Sequence, residues 1–195
     1  MSRFYKEKGF TLARADRPTR VLVSCFLLCV LVGVVVAALQ YSSRAGGFGS
    51  KSAQEWVLGN EDDLSATEFR VAKGDRELLA FVHDHIFSLA MVLFVVFHLV
   101  ALTPLHPRGK IGLVLLGFGG LLGTLGVPWL LRAAPSDLKS WLLICSGSAL
   151  LISLALGSLL VLGEMWLFPW VRRVRGRPEA PPANPMFPEA SGDDR

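Results

Sequence analysis

The chain has 195 residues, of which 52% are hydrophobic and only 18% charged, with 20 Lys and Arg against 16 Asp and Glu and a net charge of +4. A soluble domain carries about a quarter charged residues. Here the charges are also gathered between long uncharged tracts, which excludes an ordinary water-soluble globule and indicates a membrane-spanning chain. The basic excess suits an anionic lipid surface and argues against nucleic acid as a partner.

Residues 1–20 form a basic leader containing Arg3, Lys6, Lys8, Arg14, Arg17 and Arg20. The first apolar tract follows, "VLVSCFLLCVLVGVVVAAL", Val21 to Leu39. It exceeds the 7–15 residues typical of a signal-peptide core, and "VAALQ" is a poor cleavage site, so a retained helix over about 21–41 is expected.

Residues 42–77 are a loop with seven acidic and five basic residues. Ser52 and Glu55 stand in capping-box spacing, and Gly59 is placed to stop a short helix over "AQEWVL". Ser65 with Glu68 repeats that spacing. The expected product is a small helical cap, too small to be a domain of its own.

Three further tracts reach the roughly 20 residues needed to cross a bilayer. They predict helices over about 78–103, 111–131 and 141–167, completing a transmembrane domain over 21–170. Residues 171–195 form a tail, Pro-rich from 176 onward, with the composition of a disordered segment. The fold class is therefore all-α, an integral membrane four-helix bundle.

Positive charge sets the orientation. The leader, Arg108 with Lys110, and Arg172, Arg173, Arg175 and Arg177 all fall on one side of a four-crossing chain, and the positive-inside rule makes that side cytoplasmic. Both termini are then cytoplasmic and the 42–77 loop external. Trp129, Trp141 and Tyr41 mark the outer boundary, while Trp166 and Trp170 mark the inner one. Trp56 alone among the tryptophans lies away from an interface.

Small residues recur every fourth position in helix one (Cys25, Cys29, Gly33, Ala37) and helix four (Cys145, Ala149, Ser153, Gly157). Helix three carries Gly112, Gly117, Gly119, Gly120, Gly123 and Gly126. Such residues let helix backbones approach closely in lipid, which makes the three cysteines packing residues and not a disulfide framework.

The second tract contains "HDHIFSLAMVLFVVFH", His83 to His98, with three of the four histidines. At about 100° per residue, His83, Phe87, Met91, Phe94 and His98 share one face, and His85 lies opposite. His83 and His98 are separated by roughly 22 Å along the axis. Neutral imidazole is a haem ligand and the macrocycle favours apolar walls, so His83 and His98 are candidate ligands for haem b. Met165 near the inner end of helix four could reach the depth of His98, and a homodimer would instead pair His98 with its own copy. His83, His85 and His98 are the candidate metal ligands, the first two with the acidic run "NEDD" nearby. The alternatives are proton or quinone contact, and interfacial or hydrogen-bonded histidines with no ligand. A transport pathway is disfavoured, because the acids within the spans, Asp84 and Glu164, lie near their ends and not at the midplane. No Walker, CxxC, HExxH or serine-elbow pattern points to hydrolytic or phosphoryl chemistry.

"LGNE" (Leu58–Glu61), "ELLAFVHDHIFS" (Glu77–Ser88), "FHLVALT" (Phe97–Thr103) and, more loosely, "GEMW" (Gly163–Trp166) resemble a family of small, uncharacterised four-helix inner-membrane proteins of bacteria. The resemblance implies an external loop with Asn60 and Glu61, an H-x-H pair at His83 and His85, and a later histidine at His98. It also implies a multi-pass protein of the bacterial inner membrane that accompanies respiratory c-type cytochromes. The expected function is a membrane subunit or accessory protein of a respiratory electron-transfer system, with a c-type cytochrome or respiratory subunit as partner. The alternative is a non-redox interaction or assembly protein that holds a periplasmic partner. The chain has no CxxCH and is not itself a c-type cytochrome.

Overall fold

A computed structural model describes residues 12, 15–64, 66 and 68–167. Most of the basic leader and the tail expected to be disordered lie outside the described residues. The elements in chain order are α1 (Arg17–Ala45), a short α2 (Ser50–Leu58), α3 (Asp75–Ala101), α4 (Pro107–Ala133) and α5 (Asp137–Leu162), which runs into a π-helical turn at Gly163–Leu167. Four of them, α1, α3, α4 and α5 with its π turn, are long and apolar enough to cross a membrane. The result is a four-helix membrane bundle with a small helical cap.

Local chemistry sets the helix ends. Pro18 and Pro107 occupy the first turns of α1 and α4, where a missing N–H costs nothing. The ring nitrogen Nδ1 of His106, the fourth histidine, accepts from the Arg108 N–H at 3.2 Å and so caps α4. Ser136 caps α5 by accepting from the Lys139 N–H at 3.4 Å. α3 stops at Ala101, two residues short of the expected end, since Pro104 cannot donate and disfavours helix before it. Lys110 crosses that turn and donates to the carbonyls of Ala101 and Thr103.

α5 is the centre of the bundle and packs against every other helix. Its closest partner is α4. A Cβ on Gly120 would lie 2.6 Å from the Leu150 amide nitrogen, and one on Gly123 would lie 2.6 Å from Ser146 Cβ. Gly117 makes room for the Phe97 ring of α3 and for Ser153, and Gly157 for Val96. These glycines form the close seam that small residues predict in lipid. Gly112, Gly119 and Gly126 face open space instead.

The small stripe of helix one departs from expectation. Cys25, Cys29 and Ala37 are exposed, and nothing approaches Gly33 within 4 Å. α1 rests on the core through Val23, Phe26, Leu27, Val30 and Val34. Those larger side chains bury more apolar area per contact than the stripe behind them would. Cys145 is likewise exposed, while Ser153 and Gly157 of its stripe are buried. The cysteines are thus surface residues and not seam residues.

The start of α1 and the end of α5 meet, since Arg20 Nη2 donates to the Met165 carbonyl at 2.8 Å. This contact fixes an even number of crossings between them. At the other end, Arg132 in the last turn of α4 pairs with Asp75 in the first turn of α3. Tyr41, Trp129 and Trp141 lie at this second end and Trp166 at the first, as two interfacial belts require.

Candidate functional site

The cap is built on α2. Its apolar side, Ala53 and Val57, is fully buried against Val127 and Leu131 of α4 and Leu143 of α5. Gly59 ends the helix as expected, with φ 77° and ψ 178°, a conformation essentially reserved for glycine. The start differs from the capping-box reading: α2 begins one turn earlier, its N-cap is Gly49, and no side chain caps it. Ser65 lies outside the described residues, and Glu68 is used differently from a cap.

Segment 68–73 returns alongside the end of α2, and each residue of the "GNE" run grips it. A Cβ on Gly59 would lie 2.6 Å from the Ala72 nitrogen and 2.8 Å from the Arg70 carbonyl oxygen. Asn60 donates through its own N–H to the Arg70 carbonyl at 2.9 Å. Its side chain accepts from the Arg70 N–H at 2.6 Å and donates to the Glu68 carbonyl at 2.8 Å. Glu61 Oε1 accepts from the Ala72 N–H at 3.1 Å. The Lys73 N–H donates to Val57 at 3.0 Å.

Arg70 is the keystone. Its side chain is 16% exposed and donates to Glu55 of α2 at 2.9 Å and to Glu68 at 2.7 Å. The same guanidinium lies against Gly46, the left-handed C-cap of α1, where a Cβ would come within 2.7 Å of Nη2. One side chain therefore ties α1, α2 and the return segment together. Sequence reasoning missed it, because an arginine in an acid-rich loop reads as solvated.

Trp56, the tryptophan away from the interfaces, joins the cap to α3. The Lys73 ammonium sits 4.9 Å from its ring centroid. The indole meets Phe81 edge-on at 5.8 Å, and Phe81 in turn lies 4.6 Å from the His85 ring. His85 Nδ1 is 2.8 Å from the Phe81 carbonyl. A carbonyl only accepts, so a neutral His85 carries its proton on Nδ1 and keeps Nε2 as an acceptor or ligand atom. His85 is exposed, with its ring orientation set by Phe81.

The histidine stripe faces outward. α3 buries Leu78, Leu93, Val96, Phe97 and Val100, a face roughly 140° around the helix from the stripe. Phe87, Met91 and Phe94 are 78%, 64% and 61% exposed, and His83 is exposed too. His98 is half-buried, stacks on Phe94 at 6.0 Å and lies in the last turn of α3. That position places it beside the negative end of the helix dipole.

Met165 is fully buried, in the same core cluster as Leu93, Val96, Phe97 and Val100. The fold thus separates His98 and Met165 onto different sides of α3, and His83 and His98 stand far apart on their shared face. A haem with two axial ligands needs both aimed into one cavity. Among the described residues, His83, His98 and Met165 of one chain are not brought together in that way. Among the described residues, no three His, Cys, Asp or Glu side chains gather to hold a metal ion.

The end opposite the cap has its own clasp. Arg20 lies over the Trp166 ring at 4.2 Å while bonding the Met165 carbonyl. The Trp166 indole N–H donates to Ser24 Oγ at 2.9 Å, and Ser24 Oγ donates to the Arg20 carbonyl at 2.7 Å. The "GEMW" run that closes this clasp is π-helical, with Glu164 only 3% exposed.

Four apolar helices, a close glycine seam and an ordered cap locked to the bundle define a multi-pass helical membrane protein. The chain belongs to the transmembrane helical domain family Aq_1264_TM, which matches residues 47–172 and so more than half of its length. No curated protein and no solved structure matches it.

Proposed function

We propose that this protein is an accessory subunit of a respiratory electron-transfer system in the bacterial inner membrane, and that it acts by holding a redox partner at its external cap. The observation that carries this reading is the Arg70 keystone, which ties the return segment of the loop to α2 and to the end of α1. Ordering a loop costs about 1–2 kcal/mol of backbone entropy per residue. A pre-ordered surface spares a docking partner that cost on binding. The positive charges of the leader, the α3–α4 turn and the segment after α5 support an external cap, where a c-type cytochrome would meet it. Haem b enters this proposal only as a group shared between copies, with His98 supplying one ligand from each of two chains.

The test is mild-detergent purification from native membranes, followed by reduced-minus-oxidised spectra of whatever co-purifies. The expected result is a c-type haem signal that is retained in the wild type and lost in Arg70→Ala. A stable co-purifying complex without any redox cofactor would overturn the electron-transfer reading and favour the non-redox assembly protein instead.

A further inference from the structure

We infer that the cap loop exposing Leu64, Phe69 and Val71 is the docking surface for a basic soluble protein, one whose contact patch is apolar and ringed by lysine or arginine. This rests on the proposed docking role of the cap and names the surface and the partner's chemistry. Leu64 is fully exposed, and Phe69 and Val71 are 71% and 65% exposed. In the return segment the intervening Arg70 turns inward to Glu55 and Gly46, so an alternating pattern sends Phe69 and Val71 outward. Three large apolar side chains in so short a loop, held open by a rigid scaffold, mark a contact patch.

Charge decides between the two classes of surface that could cover it. From Asn60 to Ala72 the chain carries four carboxylates and one guanidinium. The guanidinium, Arg70, is the inward keystone shared by Glu55 and Glu68, while Glu61, Asp62 and Glu68 are exposed on the same loop. Of the basic neighbours, Lys51 is engaged by Glu55 and Asp63 at 3.6 Å each, and Lys73 by Glu77 at 3.6 Å. An anionic lipid surface would repel this loop. A cationic protein is attracted by it, and such complementarity steers association and fixes register. An apolar centre within a charged rim is also the anatomy of a protein interface.

The experiment places a photoreactive benzophenone amino acid at position 69 of the full-length protein in its native membrane, with irradiation in intact cells and mass spectrometry of the adduct. The expected adduct is one soluble protein of basic isoelectric point. Its yield should fall about tenfold in Asp62→Lys, and similarly when washed membranes are irradiated at about 1 M salt, where the screening length is about 3 Å. Asp62 is exposed and outside the Asn60–Arg70 clasp, so this variant leaves the cap folded. Lipid adducts alone, no adduct, or a protein adduct indifferent to Asp62→Lys and to salt would each overturn the inference. A basic partner without haem would uphold this surface while overturning the electron-transfer reading.

Discussion

Asn60 and Arg70 hold each other through reciprocal hydrogen bonds: the Asn60 N–H donates to the Arg70 carbonyl at 2.9 Å, and the Arg70 N–H donates to Asn60 Oδ1 at 2.6 Å. The side-chain half of this pair has no substitute in alanine. Asn60→Ala should therefore lower stability by about 1–2 kcal/mol, since it orphans the Arg70 N–H and the Glu68 carbonyl together. Asn60→Asp keeps the acceptor and loses only the donor, so its effect should be smaller. Thermal unfolding in detergent, with limited proteolysis between residues 61 and 73, reads both. Equal melting of Asn60→Ala and wild type would show that the loop is not clasped.

Gly120 and Gly119 are adjacent in sequence and opposite in environment. A Cβ at Gly120 meets α5 backbone that cannot move aside, whereas one at Gly119 meets nothing within 4 Å. Gly120→Ala should destabilise by about 1–3 kcal/mol through overpacking. Gly119→Ala should be neutral or stabilising by up to about 1 kcal/mol, from helix propensity alone. Unfolding of the purified protein in SDS titration distinguishes them, and similar behaviour of the pair would contradict the seam.

The histidines yield a spectroscopic prediction. With His98 on an outward face and Met165 in the core, any b-type spectrum should depend on His98 and on self-association, and should survive Met165→Leu. His98→Ala should abolish it, and His85→Ala should spare it. Loss of the signal in Met165→Leu, with the fold intact, would mean that Met165 reaches the iron after all.

At the end opposite the cap, Arg20 and Trp166 should be coupled. Arg20→Gln, Trp166→Leu and the double variant form a cycle whose interaction energy is expected at about 1 kcal/mol, from the cation–π contact and the shared Ser24 bridge. Additive single effects would show that the contact contributes nothing to the α1–α5 junction.

The four spans were legible because hydropathy, the basic clusters and the aromatic belts are independent signals that agree. Gly59 as the stop of α2 was legible too, because only glycine tolerates its backbone. What stayed hidden has a common cause: in lipid both faces of a helix are apolar, so periodicity does not separate core from surface. The His83–His98 stripe could be drawn from the sequence, but its outward direction could not. The Cys25–Ala37 stripe looked like a seam for the same reason. Arg70 was invisible for another reason, since its role depends on Gly46, Glu55 and Glu68 converging from three segments.

α1 is attached in an unusual way. Its buried residues are only Leu27 and Ala45, and the family match begins at residue 47, just beyond it. Arg20 fastens one end to the π turn after α5, and Gly46 seats the other end under Arg70. The span behaves as a hasp across an otherwise complete three-span body. Its two fastenings are polar and replaceable, while its long lipid-facing flank does little to retain it. Removal of both fastenings leaves the Val23–Val34 face as the remaining tie to the core, so a chain severed between α1 and α2 should hold together more weakly without Arg20 and Arg70 than with them.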